Sequence, residues 1–132
     1  MTARNSPILI PLLLALGCAF AGPAGGEVQE LRVTATAYNS LPGQTEGDPS
    51  IAAWGDRLEP GMRAIAVSRD LLDLGLTRGV EVEIDGLPGR YKVLDKLHWR
   101  WEKRIDVYMG TDLHAAKQFG KRQVTIRWKP KR

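Results

Sequence analysis

The chain has 132 residues, 43% of them hydrophobic and 26% charged, and a formal net charge of +4. That length supports one domain with one core and excludes two. A single cysteine (Cys18) and two histidines (His98 and His114), in no spaced ligand set, exclude a structural metal site, a disulfide framework and a Cys–His nucleophile couple.

The first 21 residues read as a secretory signal. Arg4 is a short positive region, Ile8–Leu16 an apolar stretch, and Ala19-Phe20-Ala21 a small-x-small cleavage site. A membrane span needs about 20 apolar residues, and Pro7, Pro11 and the Gly/Pro-rich run after Ala21 leave this one too short. The mature chain is expected to begin near Gly22, without Arg4 and its charge. The alternative is lipidation of Cys18 within Ala15-Leu16-Gly17-Cys18, an imperfect lipoprotein pattern. The first reading places the protein in the periplasm; the second associates it with the outer membrane and is the only route to a membrane. A mildly basic exported protein suits an anionic wall glycan carrying peptide carboxylates, and export argues against nucleic acid. No cofactor is expected.

Residues 22–29 form a Gly/Pro-containing linker. Leu31, Val33, Ala35 and Ala37 then alternate with Arg32, Thr34, Thr36 and Tyr38, which predicts a half-buried strand. Asn39–Pro60 is rich in Gly, Pro, Asp and Ser and reads as a long loop, either functional or disordered, with Trp54 pointing to packing or binding. Ala64–Val67 is a short buried strand, and Arg69–Gly75 one helical turn ended by Gly75. Val80, Val82 and Ile84 alternate with Glu81, Glu83 and Asp85, Asp85-Gly86 turns the chain, and Tyr91 and Val93 lie on the return strand. After a loop at Lys96–Lys103 comes the strand containing Asp106. A helix over Asp112–Phe119 follows, with Thr111 as its cap, Leu113, Ala116 and Phe119 inward and Gly120 as its stop. Val124, Ile126 and Trp128 define the last strand, and residues 130–132 a basic tail. Six short strands and one short helix predict an all-β domain over residues 30–129, either a sandwich or a small closed barrel; a barrel removes exposed edges.

The candidate chemistry lies in Gly89–Met109. Aspartate is depleted from strands and costly to bury unpaired, so a role other than folding is expected for Asp106 within Ile105-Asp106-Val107-Tyr108. Ile105 and Val107 share one face; Asp106 and Tyr108 share the other and would look into a groove. Asp95, closing the neighbouring strand, could approach the same groove. Two carboxylates in one cleft raise each other's proton affinity, so that one can act as a general acid, and glycosidic cleavage is often built from such parts. The competing reading has each aspartate tying down a turn or pairing with Arg104 or Lys103. In the loop between the strands, Trp99, Arg100 and Trp101 could stack on sugar rings and meet carboxylates, or one tryptophan could cap a barrel end.

The segments Val33–Tyr38, Ile65-Ala66-Val67, Gly89–Asp95, Arg104–Tyr108, Ala115/Ala116, Phe119-Gly120 and Val124-Thr125-Ile126 resemble, in order and spacing, the 3D domain named for three aspartates. That domain occurs in cell-wall-active proteins, including MltA-type lytic transglycosylases. The resemblance covers nearly all of the mature chain and implies a six-stranded double-psi β-barrel acting on peptidoglycan. It implies Asp106 as the general acid/base at the bond between N-acetylmuramic acid and N-acetylglucosamine, with Asp95 in support. Tyr38, Tyr108, Trp99, Trp101 and Arg100 are then the expected substrate contacts. The chain departs from the pattern in three places. Ser68 stands where the family has its third aspartate, with Asp70 two residues on. Lys96–Trp101 replaces a small Gly-rich turn, and there is no room for the second domain that completes the cleft in the large enzymes, which leaves that task to a partner protein.

Overall fold

The structure is a computed structural model, described here over residues 27–41 and 47–130. The expected signal sequence, Cys18 and all but the end of the linker lie outside those residues.

Six strands close into a barrel: β1 (Gln29–Tyr38), β2 (Ala64–Val67), β3 (Glu81–Ile84), β4 (Arg90–Lys96), β5 (Arg104–Tyr108) and β6 (Arg122–Trp128). Their order around it is β1-β5-β2-β4-β3-β6. An antiparallel β2–β5 pair at the centre is flanked by two parallel pairs, β1–β5 and β2–β4. This crossed arrangement is the double-psi topology. Because every strand has two partners, no backbone edge is left open.

The alternation seen in the sequence sets the inside of the barrel. Val33 and Ala35 of β1, Ile65 and Val67 of β2, Val82 and Ile84 of β3, Tyr91 and Val93 of β4, Ile105 and Val107 of β5, and Ile126 and Trp128 of β6 form one buried cluster. Burying a Val- or Ile-sized side chain stabilises by about 1.5–3 kcal/mol, so this inner face carries most of the folding energy. A single-turn helix α1 (Arg69–Leu72) plugs it with Leu71, which is fully buried. After α1, Gly75 turns the chain at φ +93°, and an added Cβ there would lie 2.5 Å from Pro130, so only glycine serves.

A second, smaller cluster forms on the outside. Ala52, Leu58, Ala64 and Tyr108 are buried together, with Tyr38, Met62 and Leu94 partly buried against them. The long loop is therefore packed across the outer face of β1, β5, β2 and β4. Backbone bonds such as Leu58 N–H to Ser50 O (2.6 Å) and Ala52 N–H to Asp56 O (2.7 Å) hold its shape. The paired Arg78 guanidinium and Asp56 carboxylate (2.6 Å) fasten its tip.

Helix α2 (Leu113–Phe119) differs from expectation in its cap and its faces. Asp112, not Thr111, accepts from Ala115 N–H at 2.9 Å, because a carboxylate at that position reaches the open end of the first turn. Phe119 is buried, but Leu113 is 42% exposed. A helix of seven residues lying on the barrel rim buries only its far end.

Candidate functional site: two aspartates in register across Ala66

The site follows from strand register. Thr36 pairs with Asp106, Asp106 with Ala66, and Ala66 with Asp95, so one row crosses β1, β5, β2 and β4. Residues in register point to the same side of a sheet. Thr36, Asp106 and Ala66 alternate with inward neighbours and so face outward. Asp95 joins them because of a bulge. Ile65 pairs with Val93 but Ala66 with Asp95, which leaves Leu94 as the extra residue. Without it, Asp95 would share the inward face of Tyr91 and Val93. The two carboxylates then lie two strand spacings apart, roughly 9–10 Å between Cα atoms, with only the Ala66 methyl group between them.

Asp106 is held on two sides. It accepts a short hydrogen bond from the Thr36 hydroxyl, and its carboxylate lies 3.9 Å from Arg104 Nε. Arg104 in turn donates to Thr36 Oγ1 at 3.2 Å and lies over the Trp101 ring at 3.9 Å. Asp95 receives two backbone N–H groups on one oxygen, from Ala53 at 2.8 Å and Lys96 at 2.9 Å. Burial pushes the proton affinity of both carboxyls up. For Asp95 the opposing influences are those two N–H groups, Tyr38 and Lys96. For Asp106, Arg104 pulls down while Asp95 pushes up. Tyr38 shares the cluster. Burial raises its phenol pKa furthest, then the charges of Asp95 and Asp106. Its hydroxyl faces Asp95 without a hydrogen bond of ordinary geometry.

A groove of about 690 Å³ opens beside this row. Asp95 and Tyr38 stand on its floor, the loop residues Asp48, Pro49, Ile51 and Ala53 form one wall, and Leu113, Ala116 and Lys117 of α2 form the other. Asp106 is not among the residues that line the groove; it lies across Ala66 from Asp95.

The remaining expected site residues separate into two groups. Tyr38 lines the groove, with its hydroxyl buried. Tyr108 does not offer its ring to a ligand. It is 3% exposed and packs against Tyr38 at 5.5 Å between centroids, with its hydroxyl 2.7 Å from Ser40 Oγ. The loop residues Ala52 and Leu58 pack over it. Trp101 touches the site only through Arg104. Trp99 is 73% exposed and stacks on His98 at 5.2 Å; neither it nor Arg100 lines the groove. Ser68 is fully buried and its hydroxyl accepts from Arg104 N–H at 3.0 Å, so it fixes the start of β5. Asp70 accepts from Lys103 N–H at 3.0 Å, where Lys103 has φ +46°; its carboxylate braces that turn and does not join the other two. Of the pairings with Arg104 and Lys103 weighed as alternatives, Asp106 makes the first, and Asp95 makes neither.

Arg104 was expected only as a competing partner of the aspartates; Thr36 and the Ala53 amide were not expected at the site. Thr36 and Arg104 flank motif positions and could have been found from strand pairing. Nothing local in the sequence marks Ala53.

No protein-family profile matches the chain, and no curated protein does. Among solved structures the chain is similar to the Streptomyces papain inhibitor. Identity is 20%, the match covers 76% of this chain and 94% of that one, and the TM-score is 0.52. At that identity the likeness is one of fold: both are small β-barrels.

Proposed function

We propose that this protein cleaves the glycan strand of peptidoglycan at the bond between N-acetylmuramic acid and N-acetylglucosamine, with Asp106 as general acid/base and Asp95 as its partner. One observation carries the proposal: two outward carboxylates in register across Ala66, both with proton affinity raised by burial, one of which, Asp95, lines an open groove. Such a pair holds a proton further into the neutral range than a free carboxylate does. Burial is the main cause for each, and the charge of Asp95 adds a smaller upward push on Asp106.

In the forward step the acid gives its proton to the glycosidic oxygen and the bond to C1 breaks. The same carboxylate then takes the proton of the muramyl 6-hydroxyl as that oxygen closes on C1, leaving a 1,6-anhydro end. Thr36 and Arg104 hold Asp106 in one orientation and stabilise it when ionised. Tyr38, whose hydroxyl is buried beside Asp95, adds to the apolar, desolvating surroundings of that carboxyl.

The test is digestion of purified peptidoglycan by the wild type, Asp106→Asn and Asp95→Asn, with products read by mass spectrometry. Anhydro-muropeptides from the wild type, and a loss of 100-fold or more in Asp106→Asn (~3 kcal/mol in the barrier), are expected. The engagement of Asp106 by Thr36 and Arg104 supports a second reading, a wall-glycan-binding barrel without catalysis. That reading predicts no release by any variant, with pull-down by the glycan intact.

A further inference from the structure

We infer that Trp101 is a positioning residue, whose ring holds the Arg104 guanidinium against Thr36 and so aims the Thr36 hydroxyl at Asp106. This rests on the reading of Asp106 as the acid/base and names what sets its orientation and charge.

Arg104 does not grip Asp106 directly. Its Nε lies 3.9 Å from the carboxylate, beyond hydrogen-bond reach, and is buried without a hydrogen-bond partner among the described residues. Two other contacts hold the side chain. Nη2 donates to Thr36 Oγ1 at 3.2 Å, and the guanidinium lies 3.9 Å from the centre of the Trp101 ring. One hydrogen bond leaves a long arginine side chain several rotamers; a flat ring stacked on its planar head removes them. The Arg104 side chain is 19% exposed, and a cation–π contact gains strength as water is excluded.

The hold on Arg104 decides what Thr36 does. A threonine hydroxyl offers one O–H and two lone pairs, and arginine accepts nothing. With Nη2 on a lone pair, the hydroxyl hydrogen turns to the Asp106 carboxylate, which is the bond observed. That donor and the Arg104 charge both favour the ionised carboxyl, against the burial that favours the protonated one. The other titratable groups facing Asp106 are Asp95 on β4, which pushes its proton affinity up, and Tyr38 on β1. From β2 it meets only Ala66.

The loop between β4 and β5 is tied at both ends so as to present that ring. At its start Leu97 N–H bonds to Val67 O at 2.9 Å, and Leu97 O accepts from Arg69 Nε at 3.0 Å. At its end Thr34 N–H bonds to Lys103 O at 2.9 Å, where Lys103 takes φ +46°. Between them Trp101 N–H bonds to His98 O at 3.1 Å. Neither Trp101 nor Arg104 lines the groove, so Trp101 acts on Asp106 through Arg104.

The test follows the Asp106 carboxyl carbon by NMR across pH in the mature protein, its signal assigned by its loss in Asp106→Asn. Trp101→Ala should raise the proton affinity of Asp106 about tenfold, because Arg104 then swings into water. Trp101→Leu, which keeps apolar bulk, should raise it about threefold, and Trp101→Phe, which keeps an aromatic face, should stay near wild type. In an Arg104→Met background, Trp101→Ala should add nothing. Wild-type titration in both Trp101→Ala and Trp101→Leu, or a shift that persists with Arg104→Met, overturns the inference. The titration does not depend on cleavage, so the two readings fail separately. A shifted titration with no muropeptide release by the wild type keeps the role of Trp101 and sinks catalysis. Release by the wild type with an unshifted titration does the reverse.

Discussion

Removing Leu58 should unfasten the groove wall without unfolding the barrel. Leu58 is 2% exposed and belongs to the outer cluster, while Leu76 is fully buried in the inner one. Leu58→Ala deletes three carbons, worth about 2.4 kcal/mol at 0.8 kcal/mol per methylene. The cavity contribution should be small, because a loop lying on a surface can settle into the gap. Leu76→Ala has no such freedom and should cost about 3–5 kcal/mol of global stability. In Leu58→Ala the loss should appear as local opening, since the loop lies on the barrel surface, held by this small cluster together with Trp54, the Arg78–Asp56 pair and the Ala53–Asp95 bond. Exchange of the Ala52, Gly55 and Leu58 amides, bonded within the loop to Asp56, Ala52 and Ser50, should accelerate roughly 60-fold, the equivalent of 2.4 kcal/mol. The β5 and β6 amides should be little changed. Peptidoglycan release should fall with loop protection, because Ala53 N–H leaves Asp95 when the wall lifts. Hydrogen exchange by mass spectrometry, beside thermal melts of both variants, reads this directly. If Leu58→Ala lowers the melting temperature as far as Leu76→Ala and loop and barrel amides accelerate together, the loop is part of the global folding unit and the reasoning fails.

Asp95→Asn should melt higher than wild type at pH 8 and converge with it below about pH 4. The raised pKa means the folded state binds more protons, so wild-type stability falls as pH rises through it; Asn keeps an oxygen for both N–H groups without the charge. A melting difference constant from pH 4 to pH 8 would contradict this. Ser68→Asp, which restores the aspartate of the resembled pattern, should cost about 3 kcal/mol or more at pH 7, because it places a carboxylate at a fully buried site. For a domain of this size that is a drop of roughly 12 °C or more in Tm, partly recovered at pH 4. Trp99→Ala should change stability by less than about 0.5 kcal/mol, while Trp101→Ala, which uncovers Arg104, should cost about 1–2 kcal/mol; paired denaturant titrations separate them.

The barrel was legible because its inner face is written in a period of two. Val33/Ala35, Val82/Ile84, Ile105/Val107 and Ile126/Trp128 each alternate with polar residues, which marks six short strands with one apolar face each. Choosing barrel over sandwich needed the pairing itself, since the parallel β1–β5 and β2–β4 contacts are non-local. The α2 cap was misplaced by one residue because Thr111 and Asp112 both qualify as caps and local sequence does not rank them. The loop was legible only in part: Trp54 pointed to packing, and it does pack against the inner cluster. Asn39–Pro60 carries its packing residues singly, as Ala52 and Leu58, without a period that a sequence pattern could register.

The same reasoning explains why the candidate site was half visible. Asp106 declares itself: a carboxylate in the middle of a strand, outward by strict alternation, with its partners one strand away in Thr36 and two residues back in Arg104. Asp95 does not, because the rule that reads Tyr91 and Val93 as inward sends Asp95 inward too. One extra residue, Leu94, reverses it. That reversal also sets the energetics, since an inward Asp95 would be a charge buried among Val93, Ile65 and Tyr91, costing several kcal/mol. Turned outward, it lines the groove, where the Ala53 and Lys96 amides both meet its Oδ1. The bulge thus makes a half-buried carboxylate tolerable only while the loop is in place, so the loop that forms the groove wall also governs the proton affinity of the group on its floor.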